Sequence, residues 1–134
     1  MRTRLAPLLL AGQGVYYLLS GLWPLLHMPS FLVVTGNKTD LWLVQTVGAL
    51  IVVLGVVYLL AARREAVTAE VVTLSVGAAV ALALIDVVFV SLGLISPVYL
   101  LDAVVEGAIL LGWGLVAASW MGERGRARRN APGV

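Results

Sequence analysis

The chain has 134 residues, of which 61% are hydrophobic and 12% charged, with a mean hydropathy of +1.03. Soluble domains carry about 25% charged residues, and a soluble fold of this size cannot bury so much apolar surface, so a soluble globular domain is excluded. The sequence has no cysteine, which excludes disulfide, thiol-redox and zinc–thiolate sites within it. The net charge of +2 does not indicate nucleic acid, because the basic residues flank apolar segments.

Four apolar stretches are each long enough to cross a bilayer, which takes roughly 20 helical residues for about 30 Å of hydrocarbon. They predict spans at residues 5–26, 41–62, 71–95 and 98–121. We expect the first to be an uncleaved helix and not a signal peptide, because its apolar run continues past the length of a signal core to Leu26. The sequence therefore predicts an all-α integral membrane protein, with residues 1–121 forming one antiparallel four-helix bundle.

The basic residues alternate between the two sides of the predicted bundle. Eight of the nine precede the first span, join the second to the third, or follow the fourth: Arg2, Arg4, Arg63, Arg64, Arg124, Arg126, Arg128 and Arg129. Lys38 is the exception. Positive residues concentrate on the cytoplasmic side, so we expect both termini to be cytoplasmic in a bacterial cytoplasmic membrane.

The connections differ in length and character. Residues 27–40 form a long loop, whose apolar residues 31–34 we expect at the membrane interface, followed by a turn at residues 35–37. Ser96 and Pro97 predict a tight turn that caps the fourth helix. Residues 122–134 are basic and rich in Gly and Ala, and we expect a disordered cytoplasmic tail that contacts anionic lipid.

Three acids lie inside predicted spans: Asp86 in the third, and Asp102 and Glu106 in the fourth. Acids inside a membrane are costly and indicate function by default. Asp86 and Glu106 are equally far along the sequence from Ser96, on opposite sides of the predicted Ser96–Pro97 turn. The two carboxyls are therefore predicted to meet about 15 Å from that turn, near mid-bilayer. Two carboxyls so placed cannot both ionise cheaply, and we expect them to share a proton.

Polar residues recur at helical spacing on each span and should face the interior, since lipid offers them no partners. They predict a cavity that is open towards the outside and lined by acids and aromatic residues. The candidate ligand- or proton-binding residues are Asp86, Asp102, Glu106, Gln45, His27, Tyr99 and Trp113. Two plainer interpretations remain: the acids can act as interhelical hydrogen-bonding groups, and His27 can be an interfacial residue.

Motifs for cofactors are absent from the sequence. Di-iron bundles use Glu-x-x-His pairs, and none occurs here, so we expect no metal site. A single histidine cannot supply two haem ligands, and there is no glycine-rich phosphate loop. No cofactor is therefore evident, although a quinone or another lipophilic ligand stays open.

The first span carries the segment Gly14-Val15-Tyr16-Tyr17-Leu18-Leu19-Ser20-Gly21-Leu22, and the fourth carries Tyr99-Leu100-Leu101-Asp102-Ala103 followed by Glu106. The segment of the fourth span is similar to that of uncharacterised bacterial four-span proteins. In the first-span segment and in its four-span layout the chain resembles the bacterial DoxX-like proteins. That resemblance implies a four-span fold and an association with membrane redox complexes and quinones.

Three classes of function follow. We favour a binding or accessory subunit that holds a lipophilic or cationic ligand, together with a membrane-complex partner or further copies of itself. The alternatives are a proton-coupled transporter that acts as an oligomer, and an intramembrane enzyme that uses one carboxyl as acid and another as base. We expect a binding role rather than an enzymatic one, and no nucleic-acid partner.

Overall fold

A computed structural model describes residues 4–131, so Arg2 and residues 132–134 lie outside the described part. That part is all-helical: α1 spans Leu5–Leu26, α2 Met28–Thr35, α3 Leu41–Arg63, α4 Ala69–Ser91 and α5 Tyr99–Asn130. Four of these helices, α1 and α3 to α5, are long and apolar enough to cross a membrane. The protein is therefore a multi-pass membrane protein, and the prediction of four helical spans is confirmed.

The distribution of side chains is the reverse of that in a soluble protein. Large aliphatic side chains on the outer faces of the long helices are exposed, for example Leu8, Leu50 and Leu111. Gln13, Ser75 and Glu106 are at most 1% exposed. Such a surface is stable only where lipid replaces water, because hydrocarbon accepts the aliphatic groups and gives polar groups no partner.

Glycines bring α1 and α3 into backbone contact. A Cβ added to Gly48 would lie 2.8 Å from the carbonyl oxygen of Gly21, and one added to Gly55 would lie 2.8 Å from the carbonyl oxygen of Gly14. No side chain fits between backbones at that distance. The α1/α3 pair therefore depends on small residues, as is common where helices associate within a membrane.

Helices α4 and α5 form a second pair, and the two pairs meet with less backbone contact than each has internally. Side chains make much of the contact between the pairs. Leu9 of α1 packs on Gly112 of α5, where an added Cβ would lie 2.8 Å from a Leu9 methyl carbon. Polar side chains of α1 also reach across to α4 and α5, and these contacts form the candidate site.

Helix α4 ends one turn earlier than predicted. Gly93 has a φ of +71°, its N–H bonds to the carbonyl of Val90, and the N–H of Leu94 bonds to the carbonyl of Phe89. This is the Schellman pattern, in which a glycine in the left-handed region ends a helix and pairs its last carbonyls. The connection thus covers residues 92–98 instead of a tight Ser96–Pro97 turn, and Ser96 contributes one long bond to the N–H of Val98.

Residues 28–35 were predicted as part of a loop and instead form α2. The side chain of His27 accepts a hydrogen bond from the N–H of Ser30 at the start of this helix, and Pro29 stands where a missing N–H is tolerated. Phe31 packs edge-on against Trp23, with ring centroids 5.5 Å apart. This contact with α1 stabilises a helix in a segment whose apolar residues alone show no clear helical periodicity.

The prediction of a disordered tail from residue 122 is wrong for residues 122–130, because α5 continues to Asn130. Glu, Arg and Ala are all strong helix formers, so the helix can continue after its apolar part ends. Arg128 and Arg129 in its last turn are also favourable at the negative end of the helix dipole.

The glycine contact gives the first testable prediction. Gly48→Ala should destabilise the protein by about 1–3 kcal/mol, because the new methyl group meets the backbone of α1 and the helices must move apart. The matched control is Gly77→Ala, at an exposed site in α4 with open space around the added Cβ, which should leave stability unchanged or slightly higher. Thermal unfolding in detergent measures both. Equal losses for the two variants would contradict the close α1–α3 contact.

Candidate functional site

The candidate site is the acid cluster, which consists of Asp86 from α4 and Asp102 and Glu106 from α5. Glu106 is 0% exposed, Asp86 is 5% exposed, and Asp102 is half-buried. Asp102 and Glu106 lie one helical turn apart, about 6 Å along α5. The acids thus run from a partly accessible carboxyl to a fully enclosed one.

Asp86 has both acids of α5 as neighbours. Asp102 faces it from the turn of α5 nearer the α4–α5 connection, and Glu106 lies one turn further along α5. The pairing of Asp86 with Glu106 stays a prediction, and Asp102 is a further neighbour of Asp86 that the sequence analysis did not pair with it.

Two adjacent tyrosines of α1 bind the two acids of α5. The hydroxyl of Tyr16 donates to Oδ1 of Asp102, and the hydroxyl of Tyr17 donates to Oε2 of Glu106 at 2.9 Å. Tyr58 of α3 packs against Tyr17, with ring centroids 5.6 Å apart. The acid cluster therefore has neighbours on all four long helices.

A second group of polar residues lies further along the bundle, about 10 Å past Glu106 on α5. This Ser75 cluster consists of Gln13, Ser75 and Trp113. Trp113 Nε1 donates to the Ser75 hydroxyl at 2.7 Å, and that hydroxyl donates to Oε1 of Gln13. Gln13 Nε2 in turn donates to the carbonyl of Ser75 at 3.1 Å. The cluster joins α1, α4 and α5.

The two groups differ in how completely they are paired. Each polar side chain of the Ser75 cluster has a hydrogen-bond partner. In contrast, Asp86 Oδ2, Glu106 Oε1 and the Tyr58 hydroxyl are buried without a partner among the described residues. Buried polar groups in native proteins are nearly always paired, and exceptions call for an explanation such as a bound ligand. The Ser75 cluster is thus fully paired, whereas the acid cluster, with its unpaired oxygen atoms, is the candidate functional site.

Lys38 and Tyr99 lie at the end of the bundle that carries α2. The ammonium group of Lys38 bonds to the carbonyl and hydroxyl of Thr35, both at 3.2 Å, and lies 5.1 Å from the centre of the Tyr99 ring. Tyr99 is half-buried at the start of α5, one turn before Asp102. The predicted site residue Tyr99 thus contacts a cation from the loop, at the edge of the acid cluster.

Two predicted site residues lie elsewhere. His27 is exposed, and its Nδ1 accepts from the N–H of Ser30 and lies 2.8 Å from the Ser30 hydroxyl, so it caps α2. Gln45 is exposed on α3, whose buried face carries Gly48, Gly55 and Tyr58. Trp113 is buried as expected but belongs to the Ser75 cluster.

The sequence analysis missed Tyr17, Tyr58 and Ser75 as members of these groups. A signal for two of them was present. Ser75 precedes Asp86 by about three helical turns and so lies on the same face of the third span, and Tyr17 follows Gln13 by one turn. Tyr58 follows Gly55 at helical spacing, yet a tyrosine near a span end is equally typical of an aromatic belt.

Glu106 is fully buried beside Tyr17, whose ring packs against Tyr58, so the outward-open cavity that the sequence suggested does not reach this carboxyl. A shallow recess of about 800 Å³ lies on α5 and is lined by small and aliphatic residues such as Gly107, Leu111 and Gly114. Within residues 4–131 no three His, Cys, Asp or Glu side chains are grouped to hold a metal ion.

Comparison with known proteins found no matching family model, no matching curated protein and no matching solved structure.

The Ser75 cluster gives the second prediction. Ser75→Ala should lower the free energy of unfolding by about 1–3 kcal/mol, because Gln13 Oε1 and Trp113 Nε1 both lose a partner inside the bundle. Ser91→Ala is the matched control, since its exposed hydroxyl bonds to the carbonyl of Val87 in its own helix, and it should change little. Chemical unfolding in mixed micelles measures both. A Ser75→Ala protein as stable as the Ser91→Ala protein would refute the structural role.

Proposed function

We propose that this chain is a binding or accessory subunit of a bacterial cytoplasmic membrane that holds the cationic group of a lipophilic ligand at Asp86 and Asp102. In this proposal the four spans form an antiparallel bundle with both termini in the cytoplasm. The acid cluster then lies in the half of the membrane away from the cytoplasm. The resemblance to DoxX-like proteins in the first span and in the four-span layout belongs to the same proposal and leaves a quinone among the lipophilic ligands.

Contacts between helices support the antiparallel arrangement. Gly14 meets Gly55 while Gly21 meets Gly48, so residue numbers rise along α1 as they fall along α3. In the second pair, Ser75 meets Trp113 and Asp86 meets Asp102, which gives the same relation between α4 and α5.

The observation that carries the binding proposal is the meeting of two carboxyls without a basic partner. Asp102 is half-buried and faces Asp86, and Tyr16 donates a hydrogen bond to it. The Lys and Arg residues of the sequence lie in loops or at span ends. Such a pair attracts a proton or a ligand cation, because uncompensated negative charge within a membrane is expensive.

Access favours a ligand at Asp102 in preference to Glu106. Asp102 retains exposure, and aliphatic side chains around it, such as those of Leu101 and Val104, are exposed on the lipid-facing surface. A molecule with an apolar body and a cationic group can leave its body in lipid and bring its charge to the carboxyl. This is the arrangement by which amphipathic groups lie at membrane interfaces.

Proton-coupled transport is the second candidate. The acids follow one another from half-buried Asp102 through Asp86 to enclosed Glu106, as groups that pass a proton inward would. A transporter of this size would act as an oligomer. Its distinguishing property is movement of a substrate across a sealed vesicle in response to a pH gradient, which a binding subunit lacks.

Orientation gives the third prediction. Cysteines introduced at Asn37 and Asn130 of the cysteine-free chain should label from opposite sides of intact cells, with Asn37→Cys reacting with an impermeant maleimide and Asn130→Cys protected until the cells are lysed. Asn130→Cys reacting in intact cells would overturn the proposed topology.

Ligand binding gives the fourth prediction. We expect the purified protein to bind tetraphenylphosphonium, a lipophilic cation, saturably, and Asp102→Asn to weaken that binding about tenfold or more, because the amide keeps its shape and loses the charge. Asp40→Asn removes an exposed acid of the loop and serves as the matched control with unchanged affinity. Equilibrium dialysis in detergent measures all three proteins.

Loss of affinity must be separated from loss of fold. Asp102→Asn should keep the helical circular dichroism signal and the elution volume of the parent. Equal affinity of the folded Asp102→Asn protein and the parent, or absence of saturable binding by the parent, would refute a cation site at this carboxyl.

A further inference from the structure

Three buried oxygen atoms near the middle of the bundle lack a hydrogen-bond partner among the described residues: the Tyr58 hydroxyl, Glu106 Oε1 and Asp86 Oδ2. They come from three different helices, and their residues are 0%, 0% and 5% exposed. A buried polar atom without a partner is destabilising, so three of them in one protein call for something that binds there.

Glu106 is the common neighbour of the other two groups. Tyr58 packs against the ring of Tyr17, whose hydroxyl donates to Oε2 of Glu106 at 2.9 Å, and Tyr58 also interacts electrostatically with Glu106. Asp86 interacts with Glu106 from α4. The remaining titratable groups that face Glu106 are Asp102, on the same helix, and Tyr16 of α1. The Oε2 atom of Glu106 is thus occupied, while its Oε1 atom is free.

A water molecule suits this arrangement better than other occupants. A buried water takes two to four polar partners, and three oxygens are available. A hard metal ion takes about six or more oxygen ligands, and within residues 4–131 no three acidic, His or Cys side chains are grouped to hold one. Glu106 and Tyr58 are also fully buried, so an organic cation that reaches the half-buried Asp102 has no access to them.

We propose that Glu106 and Tyr58 hold a water molecule between them and that, together with Asp86, they form an internal proton-binding site. The Glu106 carboxyl is protonated, and its O–H at Oε1 donates to the water, while Oε2 accepts from Tyr17. The water donates one hydrogen to Asp86 Oδ2 and contacts the Tyr58 hydroxyl with the other. Asp86 is a carboxylate in this state, every unpaired oxygen has a partner, and the water itself adds no charge.

This arrangement also permits one proton transfer. The proton on Glu106 Oε1 passes to the water oxygen as the water passes one of its own protons to Asp86 Oδ2. Glu106 becomes a carboxylate, Asp86 becomes a carboxylic acid, and the water is regenerated. The inference rests on the proposed function, in that it gives the acid next to Asp102 a source of protons.

The test uses infrared difference spectroscopy of the whole protein. The carbonyl band of the protonated Glu106 carboxyl is identified by its loss in Glu106→Gln. In Tyr58→Phe this band should shift to higher frequency, because the water loses a partner and binds the carboxyl less well. Tyr17→Phe is the positive control. It deletes the hydroxyl that donates to Glu106 Oε2, so it should shift the band as well.

A Glu106 band that Tyr58→Phe leaves in place would overturn the proposal, as would the absence of a protonated carboxyl band that Glu106→Gln removes. If the Tyr58 hydroxyl instead has no water beside it, its removal in Tyr58→Phe should raise the thermal unfolding temperature. Such a rise would also overturn the proposal. If Tyr58→Phe does not fold, the parent is transferred into water labelled with heavy oxygen. An isotope-sensitive water band that disappears in Glu106→Gln then supports the site, and its absence overturns it.

These readouts are independent of cation binding. Failure of the parent to bind tetraphenylphosphonium would remove the proposed ligand at Asp102 and leave the Glu106 band unaffected. An unchanged Glu106 band in Tyr58→Phe would remove the water site and leave cation binding intact.

Discussion

The arrangement of this bundle depends on hydrogen bonds that α1 makes to α4 and α5. Three side chains of α1, namely Gln13, Tyr16 and Tyr17, bond to Ser75, Asp102 and Glu106. In lipid these groups have no water to bind if they separate, so each bond restricts how the two helix pairs can slide or rotate. Apolar contact alone would not do so, because lipid tails are as apolar as leucine.

Packing and polarity therefore have separate roles. Glycines set the distance between α1 and α3, where Gly21 and Gly48 bring the backbones together. Polar side chains set the register between the α1/α3 pair and the α4/α5 pair. The fully paired Ser75 cluster makes one end of this interface rigid, whereas the acid cluster, with its unpaired oxygens, retains capacity to bind.

Much of the fold could be predicted from the sequence, because long apolar runs are read directly as spans and α1 begins and ends at the predicted residues. The end of α4 could not, since a glycine within an apolar run is equally compatible with helix interior and with a left-handed stop. That ambiguity hid where the α4–α5 connection begins, and with it the proximity of Asp102 to Asp86.

The candidate site was predictable in part for a similar reason. Asp86, Asp102 and Glu106 stand out because acids are rare inside membranes, and the structure brings them together. His27 and Gln45 were assigned to the interior by helical spacing alone, yet His27 caps α2 and Gln45 lies on the exposed side of α3. Spacing identifies a stripe on a helix, and only the contacts between helices determine which stripe faces inward. Tyr58 is recognised as a neighbour of the acid cluster only from its contact with the ring of Tyr17.

The pairing of α1 with α3 has a consequence for biosynthesis. These two helices precede α4 and α5 in the chain, and their glycine contact involves no later segment. They can associate as soon as α3 has entered the membrane. At that stage Gln13 and Tyr17 have no partner, so the half-assembled protein carries a polar surface towards lipid. Arrival of α4 and α5 covers this surface, and the same side chains that specify the register thereby drive the last step of assembly.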